Sequence, residues 1–213
     1  METVQAVQTK DYIIRAIRDE ILSGRMKPGE ELAQENVAQM LGVSRMPVRE
    51  ALQALAQEGF LIRLPNRHMQ VAGMDCREVM DTFSVAAAME TEILMLIPEN
   101  DRDIFFGAVR RCLETGGKED QSRAAEMEIG IHKTAVSLLR NVYVSRLFSK
   151  LLDGYISHAV MNRKGREGDR EHFLSRILRA YEACDENGLK QAVKAYYSDL
   201  AKSLLNFEEG RNE

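Results

Sequence analysis

The chain has 213 residues, 45% hydrophobic and 29% charged, with net charge −4, a size that bounds it to one large globular domain or two small ones. Its three cysteines, Cys76, Cys112 and Cys184, are far apart and form no CxxC pair, which argues against a zinc knuckle, a dithiol redox site or a disulfide framework. The first twenty residues contain no signal-peptide core, and runs such as "VAAAM" and "ILMLI" are too short to cross a bilayer, so the expected location is the cytoplasm, without a membrane partner.

Taken in chain order, "DYIIRAIRDEIL" places Ile13/Ile14, Ile17 and Ile21 on one helical stripe. Gly24, Pro28 and Gly29 then end that helix in a turn. "QENVAQMLG" reads as a short helix with Val37, Ala38 and Leu41 inward and Gly42 as its stop. Ser44 is placed to cap the next helix, and Pro47 falls in its first turn, where a missing N–H matters least. Val48, Ala51, Leu52 and Leu55 make the buried stripe, ended by Gly59. "FLIRL" and "MQVA" flank "PNRH" and read as a two-stranded hairpin. Three helices and a hairpin make a winged helix-turn-helix over residues 1–73.

Residues 74–213 show no convincing strand. Amphipathic helices are expected at 76–97, 101–115, 120–140, 142–162, 167–186 and 188–208, with breaks at Pro98, Gly116-Gly117, Gly165/Gly168 and Asn187-Gly188. The fold class is therefore mainly α: an N-terminal winged helix-turn-helix plus a C-terminal antiparallel six-helix bundle.

Charge is uneven. Residues 1–73 hold nine Lys/Arg and nine Asp/Glu, so the whole excess of −4 lies in 74–213. Arg45, Arg49 and Gln53 are spaced four apart on the third helix, opposite its apolar stripe. Arginine at the leading end of a second helix suits a major-groove reader, since guanidinium forks onto guanine or clamps phosphate. The helix N-terminus with Ser44 adds donors for a phosphate. Arg63 and Arg67 in the hairpin reach for neighbouring backbone or minor groove. Two arginines one turn apart on a solvated face are common by themselves. The ordered set of helix, PGE turn, short helix, GVS turn, Arg-bearing helix and hairpin carries the argument.

That set resembles the GntR family of bacterial transcription regulators. The residues carrying the resemblance are "AIRDEILSGRMKPGEEL", "VAQMLGVSRMPVREALQALAQEGFL" and "PNRHMQV". It implies an operator-binding winged helix with Ser44, Arg45, Pro47 and Arg49 at the DNA and the hairpin as wing. The sequence departs from the family at Glu35, which cannot bind phosphate and stands where Arg or another polar residue is common, and at His68, where the wing tip usually carries Gly.

The remainder resembles the all-helical FCD effector domain of the FadR-type branch, VanR-like subgroup, through "VAAAMETEIL", "EIGIHKTAVSLLRN" and "YEACDENGLKQAVKAYYSDL". The resemblance implies a homodimer that binds a small carboxylate metabolite inside the bundle. It also implies a site for a divalent metal, Zn²⁺ or similar, on Glu128, His132 and Asp199, beside which stand a metal-free cavity lined by His132, His158, His172, Tyr155 and nearby Arg, or an ordinary polar pair of Glu128 and His132 within the bundle. Ile177 stands where a further ligand is expected, Ala86 where an Arg is common, and Asn141 matches a family Asn. His132, Tyr155, His158, His172 and Asp199 are the expected effector-binding residues.

The expected function is a ligand-responsive transcription regulator, a repressor released by its effector, binding pseudo-palindromic double-stranded operator DNA. Two alternatives stand beside it. One is a metal-dependent enzyme at Glu128/His132, against which no HExxH, nucleophile elbow or Gly-rich phosphate loop is found. The other is a helical interaction module that does not bind DNA.

Overall fold

The computed structural model describes residues 4–73, 75–115, 121–163 and 169–209. The chain divides into two compact units, Met1–Asp75 and Cys76–Glu213.

In the first unit, helix α1 (Val4–Leu22) packs on α3 (Arg45–Gln57), with α2 (Gln34–Leu41) against α3 as well. Ile13, Ile17 and Leu22 are the buried positions of α1, while Ile14 and Ile21 lie at the margin of that face. They join Val48, Ala51, Leu52 and Leu55 of α3, all with no exposed area. Leu41, expected inward, is only half-buried. Arg18 of α1 pairs with Glu58 just past α3 at 2.6 Å and lies 5.5 Å from the ring centre of Phe60.

Gly42 makes the turn between α2 and α3. Its φ of 65° is the left-handed conformation that glycine adopts without strain, and the N–H of Val43 reaches back to Ala38 O at 3.1 Å. Ser44 occupies the N-cap position of α3, yet its hydroxyl makes no capping bond, contrary to expectation. A capping oxygen bonds the N–H of the second or third helical residue, and one of those two donors is missing because the third residue is Pro47.

The sheet has three strands where two were expected. β1 (Glu31–Leu32), β2 (Leu61–Arg63) and β3 (Met69–Val71) are antiparallel in the order β1-β3-β2, with Glu31 opposite Gln70 and Arg63 opposite Met69. Two residues are too few to show alternation, so β1 leaves no period in the sequence. At the hairpin tip Leu64 N–H donates to His68 O at 2.9 Å, and Arg67 N–H to Leu64 O at 3.0 Å. Arg67 has φ 67°, the left-handed third position of a three-residue loop. The position that favours glycine is thus Arg67 rather than His68. Asn66 Oδ1 accepts from His68 N–H at 3.0 Å and stiffens the turn.

The second unit is all helical among the described residues. It contains α4 (Cys76–Leu96), α5 (Arg102–Thr115) after a short 3₁₀ turn at Glu99–Asp101, α6 (Gln121–Leu138), α7 (Val142–Leu151), α8 (Ser157–Met161), α9 (Asp169–Glu182) and α10 (Glu186–Glu209). The single helix expected over 142–162 is α7 and α8 joined by a π-helical stretch, Leu152–Ile156. Asn141 caps α7, its side-chain oxygen accepting from the N–H groups of Tyr143 at 3.1 Å and Val144 at 3.3 Å. α10 packs chiefly on α4 and α9. The break before α10 falls earlier than Asn187-Gly188: Cys184 turns left-handed at φ 53°, and Asp185 accepts from Gly188 N–H at 2.9 Å. The carboxylate cap fixes the start, so Asn187 and Gly188 lie inside the first turn. The expected breaks at Gly116-Gly117 and Gly165/Gly168 lie outside the described residues.

Candidate DNA-reading surface and buried polar cluster

The outer face of α3 presents Arg45, Arg49 and Gln53, all exposed, on a helix whose other side is locked into the core. The Arg45 guanidinium pairs with the Glu35 carboxylate in the first turn of α2. Both side chains are about two-thirds exposed (69% and 67%), so solvent screens the pair and it adds little stability. Arg49 Nη2 lies 3.1 Å from Met46 Sδ, and Arg49 meets no carboxylate among the described residues. Pro47 is half-buried in the first turn. Arg63 and Arg67 are exposed along the wing. His68 Nδ1 faces Glu31 Oε2 at 3.3 Å. Two acidic residues near this surface therefore face expected DNA contacts, Glu35 against Arg45 and Glu31 against His68. Neither pairing was visible in the sequence, because the partners lie 10 and 37 residues apart.

A second polar group lies in the helical unit, where Glu90, Glu128 and His132 are buried. Tyr196 donates its hydroxyl to Glu128 Oε1 at 2.7 Å. Its oxygen must then accept from His132 Nε2, 2.9 Å away. His132 Nδ1 is 2.6 Å from Glu90 Oε1, and donation to that carboxylate as well makes His132 an imidazolium. Burial disfavours that charge, but the charge and hydrogen bond of Glu90, aided by Glu128, outweigh it and raise the His132 pKa above its ordinary value. Burial first, then the charge of Glu128, pushes the Tyr196 hydroxyl well above its usual range, so it stays protonated as a donor.

Two arginines complete the cluster. Arg163, just past α8, donates from Nη1 to Glu128 Oε1 at 3.3 Å and from Nε to Asp199 Oδ2 at 3.0 Å, with Nη2 also on Oδ2. Its guanidinium sits 5.4 Å from the ring centre of Phe173 and 5.7 Å from that of Tyr196. Arg170, in the first turn of α9, donates from Nε to Glu128 Oε2. Glu90, Glu128 and Asp199 are thereby balanced by His132, Arg163 and Arg170.

The structure thus brings Glu128, His132 and Asp199 into one network, but not as a metal shell. Among the described residues no three His, Cys, Asp or Glu side chains converge to hold an ion. Both Glu128 oxygens accept from guanidinium, both His132 nitrogens are engaged, and Asp199 is on Arg163. A divalent cation does not fit beside two guanidiniums. Of the expected effector contacts, Tyr155 is half-buried in the π stretch and His158 is buried, with Asn162 Nδ2 3.3 Å from its Nδ1. His172 is exposed, its ring edge against Phe173. Sequence reasoning missed Glu90, Arg163, Arg170 and Tyr196. Glu90 had left a signal: it interrupts the buried face of Val79, Phe83, Ala86, Ala87 and Leu94 on α4.

A three-helix unit with a winged hairpin and an exposed arginine stripe on its third helix defines a winged helix-turn-helix DNA-binding regulator. Residues 9–71 match the model of the bacterial regulatory proteins of the gntR family. The chain is similar to the gluconate operon transcriptional repressor of Bacillus licheniformis, 25% identical over 199 residues that make up 91% of this chain and 79% of that protein. The solved structure of E. coli McbR/YncC shares the fold, with a TM-score of 0.65 at 17% identity, covering 99% of this chain and all of that one (100%). So does that of Lar, which controls the agr system of Listeria monocytogenes, with a TM-score of 0.63 at 16% identity over 97% of this chain and 98% of that one. The proteins this chain resembles are transcription regulators rather than enzymes. No helix among the described residues is long and apolar enough to cross a membrane.

Proposed function

We propose that the chain is a homodimeric, ligand-responsive repressor of the FadR-type branch, with an FCD effector domain of the VanR-like kind. Residues 1–73 bind the operator, and residues 74–213 dimerise and bind a small organic acid or related metabolite. Two winged helices of the dimer read half-sites of a pseudo-palindrome about one turn, roughly 34 Å, apart. Arg49 and Gln53 face base edges, Arg45 and Ser44 take phosphate at the start of α3, and Arg63, Arg67 and His68 carry the wing. The hydroxyl of Ser44 is not spent on its own helix, which supports its use on DNA. The repressor role follows by similarity to the gluconate operon repressor. Effector binding shifts operator affinity because it favours one arrangement of the bundle over another.

The observation that carries this reading is Arg49: exposed on the reading face, rigidly backed by Val48 and Leu52, and facing no carboxylate among the described residues. Replacing it, Arg49→Ala, is expected to weaken operator binding by about 10- to 100-fold, as for loss of one base or phosphate fork, while the dimer stays intact by sedimentation. Unchanged affinity in a gel-shift titration overturns the assignment.

A further inference from the structure

We propose that Arg163 is the binding point for a ligand carboxylate in the helical unit, and that Asp199 occupies it until the ligand arrives. The inference rests on the ligand-responsive reading above and names the group that recognises the ligand.

The two carboxylates on Arg163 are not equivalent. Glu128 has no exposed side-chain area and is also fastened by Tyr196 and Arg170. Asp199 keeps 35% of its side chain exposed, and Arg163 is its one hydrogen-bonding partner among the described residues. Asp199 is the member of the network that can leave without opening the core. It also uses Arg163 incompletely. Nε and Nη2 converge on one oxygen, Oδ2, although that edge of a guanidinium matches both oxygens of a carboxylate. An incoming carboxylate that takes the edge with two oxygens makes one bond per donor.

Charge selects the ligand class. Without Asp199, the buried Glu128 faces two guanidiniums, leaving one positive charge over. One carboxylate restores the balance, whereas a neutral sugar or a metal cation does not. The rings of Phe173 and Tyr196 beside the guanidinium hold its plane, so the donor edge is ready before the ligand enters. The exchange also has a mechanical result. Asp199 is on α10 and Arg163 follows α8, so displacing Asp199 unties α10 from the end of α8. That gives a ligand the differential contact between two states that a switch requires.

The full-length protein is titrated with acetate, malonate, succinate, gluconate and citrate at fixed ionic strength, and binding is read by calorimetry and thermal shift. Asp199→Asn keeps the shape but gives up the charge, and it should bind at least one of these anions about tenfold more tightly than wild type, the worth of one charge-assisted bond. Arg163→Met should bind none. Arg163→Lys keeps the charge but loses the fork, and serves the same purpose if the Met variant does not fold. An Asp199→Asn protein that binds no anion more tightly than wild type, or an Arg163→Lys protein that binds undiminished, overturns the proposal. Anion binding that follows these variants but leaves operator affinity unchanged supports the site and removes the ligand-responsive reading instead.

Discussion

Glu35 decides how much positive charge the reading helix offers. In the sequence it is a residue that cannot hold phosphate. In the structure it also occupies the Arg45 guanidinium. Glu35→Gln should therefore tighten operator binding and steepen the slope of log K against log salt by about one, since one more cation becomes available to phosphate. The gain should shrink in an Arg45→Gln background. A gain of equal size there, in a four-protein salt titration, removes the coupling. His132 makes the other prediction at this scale. Its pKa is raised on folding, mainly by Glu90 against the opposing effect of burial. The stabilisation from its charge is complete below its unfolded pKa, about 6.5, and is lost as pH climbs through the raised folded value. Thermal melts of the wild type should show stability falling on the alkaline side, and His132→Gln should flatten that fall. A fall of the same size in the variant assigns it to another group.

At the scale of elements, Asn141 caps α7, its side-chain oxygen accepting from the N–H groups of Tyr143 and Val144. Asn141→Ala should cost about 1 kcal/mol, seen as a lower denaturant midpoint at unchanged slope. Most elements were legible because their signals are local. The α3 stripe of Val48, Leu52 and Leu55 repeats at helical spacing, Gly42 marks the turn, and the Pro-Asn tip marks the hairpin. What escaped has a physical reason each time. β1 is two residues long and exists only because Gln70 and Met69 pair with it. The π stretch at Leu152–Ile156 is a change of backbone hydrogen bonding over five residues, too short to show as a period in the sequence. The ion pairs to Arg163 join residues 35 and 36 apart, and no local spacing encodes them. The sequence placed Glu128, His132 and Asp199 together through family resemblance, and in the structure Glu128 and Asp199 meet guanidinium while His132 meets Glu90 and Tyr196.

For the whole molecule, the partition of charge matters more than the total. The neutral first 73 residues carry the arginine face, and the remainder holds the net −4. Screening over roughly 10 Å keeps distant acids from cancelling local arginines. Operator binding should therefore fall steeply with salt despite the acidic chain. A protein that pulls down partners but shows no salt-dependent affinity for any palindromic duplex is the interaction module instead.

The buried cluster has one more consequence, for how this protein can vary. Glu90, Glu128, His132, Arg163, Arg170 and Asp199 sum to zero charge. Losing any one buried member strands an opposite charge out of water, a cost of about 3–5 kcal/mol for a broken buried pair. Typical domains have only about 5–15 kcal/mol in hand. Drift through single neutral steps is closed to the buried members of this cluster, which must change in compensating pairs, whereas the half-exposed Asp199 is not so bound. Relatives that keep the arginine following α8 should also keep an acid at the Glu128 position, and those that lost one should have lost both.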